Sequence, residues 1–284
     1  MRKRVIREQF ARLALEHDEA LDLARGAVLI AAEDDDGVDV DAVLENLARI
    51  GAAAAERLGN AKRADHTMLV LADYLHRDIG LSGNKNSYYD PKNSFLHEVL
   101  ARKKGIPISL AVIYITVGRA AGLDLVGVAF PAHFLIGVYS GGIDRSRLPD
   151  WFVDPFEPMR LMSVEDCRTL FKSLGGTDAA FRAEHLATAT HRQILARMLT
   201  NLKMIYARTG ETEKSIAAID RILLLNPNAR AEFRDRGALH MQLDLYSLAL
   251  DDFTRYLAEE PAPEERATIE QAITELKSRI AMLH

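Results

Sequence analysis

The sequence predicts an α+β core, a buried helix set against a small antiparallel sheet, preceded by helices and followed by a helical repeat. Three observations carry this prediction. From Pro107 to about Ala121, apolar residues occupy nearly every side of a helix, as in a helix covered all round. Three short β-like runs follow it, Leu125–Phe130, His133–Tyr139 and Trp151–Val153, joined by short turns that favour an antiparallel meander. In the C-terminal third, Tyr206 and His240 stand 34 residues apart, and so do Pro227 and Pro261. That spacing is the tetratricopeptide period.

Taken in order, the apolar residues Phe10, Leu13, Leu21, Val28 and Leu29 place helical structure between Arg4 and about Ala32. The acidic run Glu33–Asp36 and Gly37 interrupt it. A second helix is expected over Val40–Leu58, stopped by Gly59-Asn60, and a third over Ala64–Arg77. Gly80 to Pro91 is rich in turn formers and reads as a long loop. Asn93–Lys104 reads as an amphipathic helix ended by Gly105. Pro107 suits the first position of the central helix, where a missing N–H costs nothing, and Gly122 ends that helix. From Glu184 the chain reads helical throughout. There Leu202–Tyr206–Gly210–Ser215–Pro227 lines up with Arg236–His240–Asp244–Ala249–Pro261, and the closing segments Leu225-Asn226-Pro227 and Glu259-Glu260-Pro261 match. Lys203 and Asp244 replace glycines of the repeat signature. The expected domains are a helical region over residues 1–60, the α+β core over 61–183 and the helical repeat over 184–284.

Composition bounds the function. The 284 residues carry a formal charge of −5, which argues against a nucleic-acid partner. The clusters Arg2-Lys3-Arg4 and Arg102-Lys103-Lys104 read as solvated surface. The single cysteine, Cys167, allows neither an internal disulfide framework nor a thiolate zinc site, and fits a reducing compartment. The charged N-terminus lacks the apolar core of a signal peptide, and no stretch has the roughly 20 apolar residues of a membrane span. A cytoplasmic protein without membrane association is expected. No metal is expected: with Gly37 at the sixth position of a calcium loop, Ala32 and Val43 would stand where carboxylates are required. His185 and His191 do not form a zinc-protease pair. There is no Gly-rich phosphate loop, and no cofactor is indicated.

The segment Asn93-Ser94-Phe95-Leu96 through Gly105-Ile106-Pro107-Ile108-Ser109-Leu110 resembles the transglutaminase-like domain of the bacterial SirB-type family. So do the runs Gly127-Val128-Ala129-Phe130-Pro131-Ala132-His133-Phe134-Leu135 and Val153-Asp154-Pro155-Phe156. The resemblance extends from about the second helix to the C-terminus, because this family also tends to carry tetratricopeptide repeats. It implies a papain/transglutaminase-like core, whose active members place a Cys at the N-terminus of the buried helix, a His on the next strand and an Asp on the one after. Such a thiol ionises because the helix terminus and a neighbouring imidazolium lower its pKa. The His then moves the proton while the Asp holds its tautomer.

Mapped onto this chain, the resemblance assigns the His to His133 and the Asp to Asp154. The Cys position falls on Pro107 in a gap-free alignment, or on Ser109 after a shift of two. Cys167 follows Asp154 in the chain, the wrong order for the triad, and reads as a buried filler. Ser109 is a candidate nucleophile, against the simpler role of a helix-terminal hydroxyl bonded to backbone. Asp154 precedes Pro155, so turn formation competes with pairing to His133. Asn93, Glu98, Arg102, Pro131 and Phe134 are candidate binding residues, with Glu98 and Arg102 also an (i, i+4) surface pair. Tyr88-Tyr89 either rim a cleft or cover the core. The expected function is a non-catalytic module that binds a protein or peptide in a regulatory or adaptor role. The alternative is a serine-dependent amide or ester hydrolase, or an acyltransferase, using Ser109, His133 and Asp154.

Overall fold

The computed structural model describes residues 2–59, 63–258 and 262–282. Asn60 and the Glu259-Glu260-Pro261 closing segment lie outside them, so the Gly59-Asn60 stop is described only at Gly59. The chain divides into two compact units, Met1–Met198 and Leu199–His284, with the boundary inside one long helix.

The first unit begins with α1 (Arg2–Leu13) and α2 (Leu23–Asp34). The continuous apolar spacing concealed a break here. Asp22 accepts from the Arg25 N–H and so caps a new helix, whose residues from Ala27 to Ala32 are buried. α3 (Val40–Leu58) has the expected bounds, opened by the Asp39 cap. It approaches the central helix closely enough that a Cβ on Gly51 would stand 2.8 Å from the Ala120 methyl. α4 (Ala64–Asp73) runs into a π-helical turn, Tyr74–Asp78. The loop after it contributes β1 (Ser82–Gly83), which pairs in parallel with β2 (Lys104–Gly105). Between those strands the expected helix is divided into a 3₁₀ turn, Pro91–Ser94, and α5 (Leu96–Arg102). Lys103, in the left-handed conformation, closes α5 two residues before Gly105.

The central helix α6 (Pro107–Ala120) starts with proline at its first position, and eleven of its fourteen residues are buried. Its polar exception at the N-terminus, Ser109, caps the backbone N–H of Ile106 at 3.1 Å. β3 (Asp124–Val128), β4 (Leu135–Tyr139) and β5 (Trp151–Val153) form the expected meander, and β6 (Thr188–Ala189) adds a fourth antiparallel strand in the order β5-β4-β3-β6. The strands are shorter than the apolar runs: Phe130 and His133 lie in the turn between β3 and β4. α7 (Val164–Ser173), which the apolar spacing did not reveal, is opened by a reciprocal cap between Ser163 and Asp166. It presents Cys167 and Phe171 to a core that includes Val128, Phe130 and Phe152. Burial, chiefly, pushes the Cys167 thiol up to about 12. The thiol is an inert filler.

At the start of α8 (His191–Thr209), Asp18 accepts from the backbone N–H groups of His191 and Arg192. His191 Nδ1 lies 2.7 Å from the Leu21 carbonyl, so it carries the proton, and Nε2 accepts from Arg119 Nη1 at 2.7 Å. Burial first, then the Arg119 charge, depress the His191 pKa below its ordinary 6.5. The folded state therefore holds a neutral ring, while the unfolded chain takes up a proton near 6.5. Stability from this site is complete above that pH and is lost as pH falls below it, with a slope of at most about 1.4 kcal/mol per pH unit. Urea titrations from pH 7.5 to 5.5 are expected to show a larger loss for wild type than for His191→Gln. Equal slopes would remove the assignment.

The second unit holds the remainder of α8 with α9 (Thr212–Leu225), α10 (Arg230–Gln242), α11 (Tyr246–Leu257) and α12 (Pro263–Met282). The 34-residue period is visible in the backbone. Gly210 turns between α8 and α9 with φ 75°, and Asp244 adopts φ 57° at the equivalent turn between α10 and α11. Asp244 tolerates that region better than most side chains, and its carboxylate accepts the Tyr246 hydroxyl at 2.6 Å.

Candidate functional site

The sheet register builds the site. β4 and β5 are antiparallel with Ile136 opposite Val153, so the approach to β4 and the exit from β5 lie side by side. His133 precedes β4 and Asp154 follows β5. The His133 Nε2 atom stands 2.9 Å from Asp154 Oδ1, with only 13 and 14 % of the two side chains exposed. The ring N–H is not aligned with that oxygen, and Nε2 is buried without a well-directed hydrogen bond. Asp154 Oδ1 also accepts from the Phe156 N–H at 2.8 Å. The carboxylate therefore forms the turn and faces the imidazole at once.

The backbone ahead of His133 is a tight turn, closed by His133 N–H to the Phe130 carbonyl at 3.0 Å. Pro131 occupies its second position and Ala132 its third, with φ 55°. That position of a type II turn favours glycine, because a Cβ is strained there. Ala132→Gly is expected to raise stability by about 0.5–1 kcal/mol while keeping the fold, measured by denaturant unfolding. A loss of stability would mean that the turn is not strained.

Among the described residues Ser109 makes no hydrogen bond to His133 or Asp154. Its hydroxyl is wholly buried, donates to the Asn93 carbonyl at 2.5 Å and accepts from the Ile106 N–H. Both of its bonds go to backbone groups, and the contact that is formed within the candidate triad is the one between His133 and Asp154. Pro107 offers no nucleophilic atom.

The candidate binding residues divide. Asn93 is fully buried: its Nδ2 donates to the Ser87 and Tyr88 carbonyls at 2.7 and 3.2 Å, and its Oδ1 accepts from Asn84 and Arg102. Arg102 reaches Asp90 at 2.9 Å and Glu98 at 3.0 Å. Asn93 and Arg102 thus fasten the 84–90 loop, with Glu98 holding Arg102 from the side. Phe134 is buried against Gly127. Pro131 is half-buried in the turn beside His133.

The loop so fastened carries Tyr88 and Tyr89, both exposed. Their rings lie 5.4 Å apart, Tyr88 lies 6.4 Å from Phe156, and Phe156 meets the His133 ring edge-on at 6.0 Å. Asp154 and Phe156 also line a cleft of about 610 Å³, with His76, Met159 and Leu170 among others. His76 belongs to the π-helical turn. Its Nδ1 donates to the Leu81 carbonyl at 2.9 Å. Sequence reasoning missed His76, since nothing in the apolar spacing marks a π turn. Phe156 was visible in the run after Asp154, though not its place between His133 and the tyrosines. Among the described residues no three metal-binding side chains cluster, and no helix is long and apolar enough to cross a membrane.

The sequence pattern of the transglutaminase-like superfamily matches residues 41–200, and a tetratricopeptide repeat pattern matches residues 202–274. A UPF0162 protein of Xylella fastidiosa is 35 % identical over 278 residues, covering 96 % of both chains. Another UPF0162 protein, of Pseudomonas aeruginosa, is 29 % identical over 234 residues, or 82 % of each chain. F-box only protein 21 of the mouse is 30 % identical over 143 residues, 48 % of this chain and 21 % of that protein. No solved structure matches the chain. With the matching core, the repeat behind it and relatives along nearly its whole length, the chain belongs to the transglutaminase-like superfamily, in the form that carries C-terminal tetratricopeptide repeats.

Proposed function

We propose that the protein is a non-catalytic transglutaminase-like module that recognises a protein or peptide in a regulatory or adaptor role. One observation carries the reading. Where active relatives of this fold hold a thiol, the chain offers either Pro107 or a serine whose hydroxyl is hydrogen-bonded to Asn93 and Ile106. A hydroxyl needs an adjacent base to become a nucleophile, and Ser109 has no hydrogen bond to His133 among the described residues. What remains beside Asp154 is suited to contact: two exposed tyrosines, Phe156 and an open cleft. Tyrosine brings large contact area at small entropic cost. Tetratricopeptide helices, in turn, are an architecture of protein interaction.

The test compares wild type, Ser109→Ala and His133→Ala, each checked for native circular dichroism, with a fluorophosphonate probe and an activated ester. No labelling and equal ester turnover in all three are expected. Labelling of wild type that disappears in Ser109→Ala would replace this reading with the serine-hydrolase one.

A further inference from the structure

Away from His133, a second cleft of about 510 Å³ opens in the first unit between the α1–α2 connection, the end of α6 and the loop after β4. Its walls hold two guanidinium groups, Arg119 and Arg145, together with His191 and the carboxylates of Asp18, Glu19 and Asp144. Arg119 is half-buried: Nε donates to the Leu125 carbonyl at 2.8 Å and Nη1 to His191 Nε2 at 2.7 Å. Both partners are neutral. Among the described residues, no carboxylate stands within ion-pair distance of Arg119. Charges withdrawn from water are ordinarily paired, and the hydrogen bonds of this half-buried one go to neutral groups.

The acidic residues nearby do not resolve it. Asp18 spends both oxygens on the N-terminus of α8. Asp144 accepts from the backbone and hydroxyl of Ser146, and Asp124 from the Gly142 N–H. Arg145, exposed on the loop, donates to the Thr188 hydroxyl at 3.3 Å, again a neutral partner. Burial foremost, then the Arg145 charge, lowers the Arg119 pKa, against a smaller opposing pull from Asp124 and Asp18. Guanidinium pairs over a concave surface match planar or tetrahedral oxyanions, to which each can donate two hydrogen bonds.

We infer that Arg119 and Arg145 form a binding site for an oxyanion, a carboxylate or phosphate group, which bridges the two guanidiniums in the cleft beside His191. The His191 ring fixes the site: its Nε2 lone pair holds one Arg119 N–H and leaves the other side of the guanidinium to the cleft. An anion there offsets the two positive charges on the cleft wall. This site is independent of the peptide-binding reading, because it shares no residue with the cleft at Asp154 or with the His133–Asp154 pair.

The experiment is an NMR titration of the full chain, following the His191 imidazole with sodium phosphate, sodium acetate and sodium chloride at matched ionic strength. His185, which stacks on Phe171 in another part of the unit, is the internal control. A saturable shift of His191 with phosphate or acetate, absent with chloride and at His185, is expected. Saturation by phosphate alone identifies a phosphoryl group; saturation by acetate identifies a carboxylate. Arg145→Ala, on an exposed loop that leaves the core intact, is expected to weaken binding by about tenfold or more. Arg119→Lys, which keeps the charge and loses the fork, is expected to weaken it as well. A drift common to all three salts, or an affinity unchanged in Arg145→Ala, would overturn the site.

Discussion

Replacing Asp252 with alanine is expected to destabilise the tetratricopeptide unit by about 3–5 kcal/mol, the range for leaving a buried charge without its partner. Asp252 is only 2 % exposed, on α11. Its two oxygens accept from Arg236 Nη2 at 2.6 Å and Nε at 3.0 Å, and the second also faces His240 Nδ1 at 3.0 Å. Arg236 and His240 come from α10, so the carboxylate closes the helix pair of the second repeat. In the first repeat the aligned residues are Leu202, Tyr206 and Ala218, an apolar set. The second copy has thus exchanged apolar packing for an ionic network. Burial alone would lower the Arg236 pKa, yet its bonds to Asp252 and Asp220 raise it. Removing the acid leaves that cation with the exposed Asp220 as its remaining carboxylate partner and His240 without its own, while installing the first repeat's residues at all three positions together should restore much of the loss. Circular dichroism in guanidinium chloride, on Asp252→Ala and on Arg236→Leu/His240→Tyr/Asp252→Ala, measures both. A shift below 1 kcal/mol for the single substitution would mean that the existing pair with Asp220 is enough to hold Arg236.

The contrast between the two repeats also shows what a sequence reveals. The 34-residue period survived the exchange of Leu202 for Arg236 because turn geometry and chain length, not side-chain identity, set it. Gly210 and Asp244 both enter the left-handed region. Helix α3 was legible to the residue because Asp39 and Gly59 mark its ends chemically. By contrast, the break between α1 and α2 was concealed because the apolar spacing on both sides stays in phase. Helix α7 had a readable capping box, Ser163 with Asp166, but too few apolar residues to draw the eye. At the candidate site, His133 and Asp154 were identifiable from the resemblance. Their approach depends on β4–β5 register, which spacing alone does not specify. The roles of Asn93 and Arg102 were not legible at all. Buried polar hubs look like surface residues until their partners, here Ser87, Tyr88 and Asp90, are brought around them by tertiary structure.

Asn93 is the point at which fold and candidate site meet, and Asn93→Ala is expected to cost about 3 kcal/mol. The substitution removes two donors and one acceptor from a fully buried position. The Ser87 and Tyr88 carbonyls lose their partner, and Asn84 Nδ2 and Arg102 Nη2 lose the oxygen they share. Each buried group left unpaired costs on the order of 1–3 kcal/mol, partly recovered where the loop relaxes and admits water. The Asn93 backbone carbonyl still receives the Ser109 hydroxyl, so the N-terminus of α6 should stay in place. Damage should therefore concentrate in the 84–90 loop and be visible as faster amide exchange there, with α6 still protected. The consequence for recognition follows from the aromatic chain. Tyr88 is set against Phe156, and Phe156 against His133, only while the loop is fastened. If the tyrosines contribute to partner binding, Asn93→Ala should weaken it by at least as much as Tyr88→Ala, although Asn93 itself touches no partner. A variant that loosens the loop yet binds as wild type would separate the tyrosines from the recognition surface.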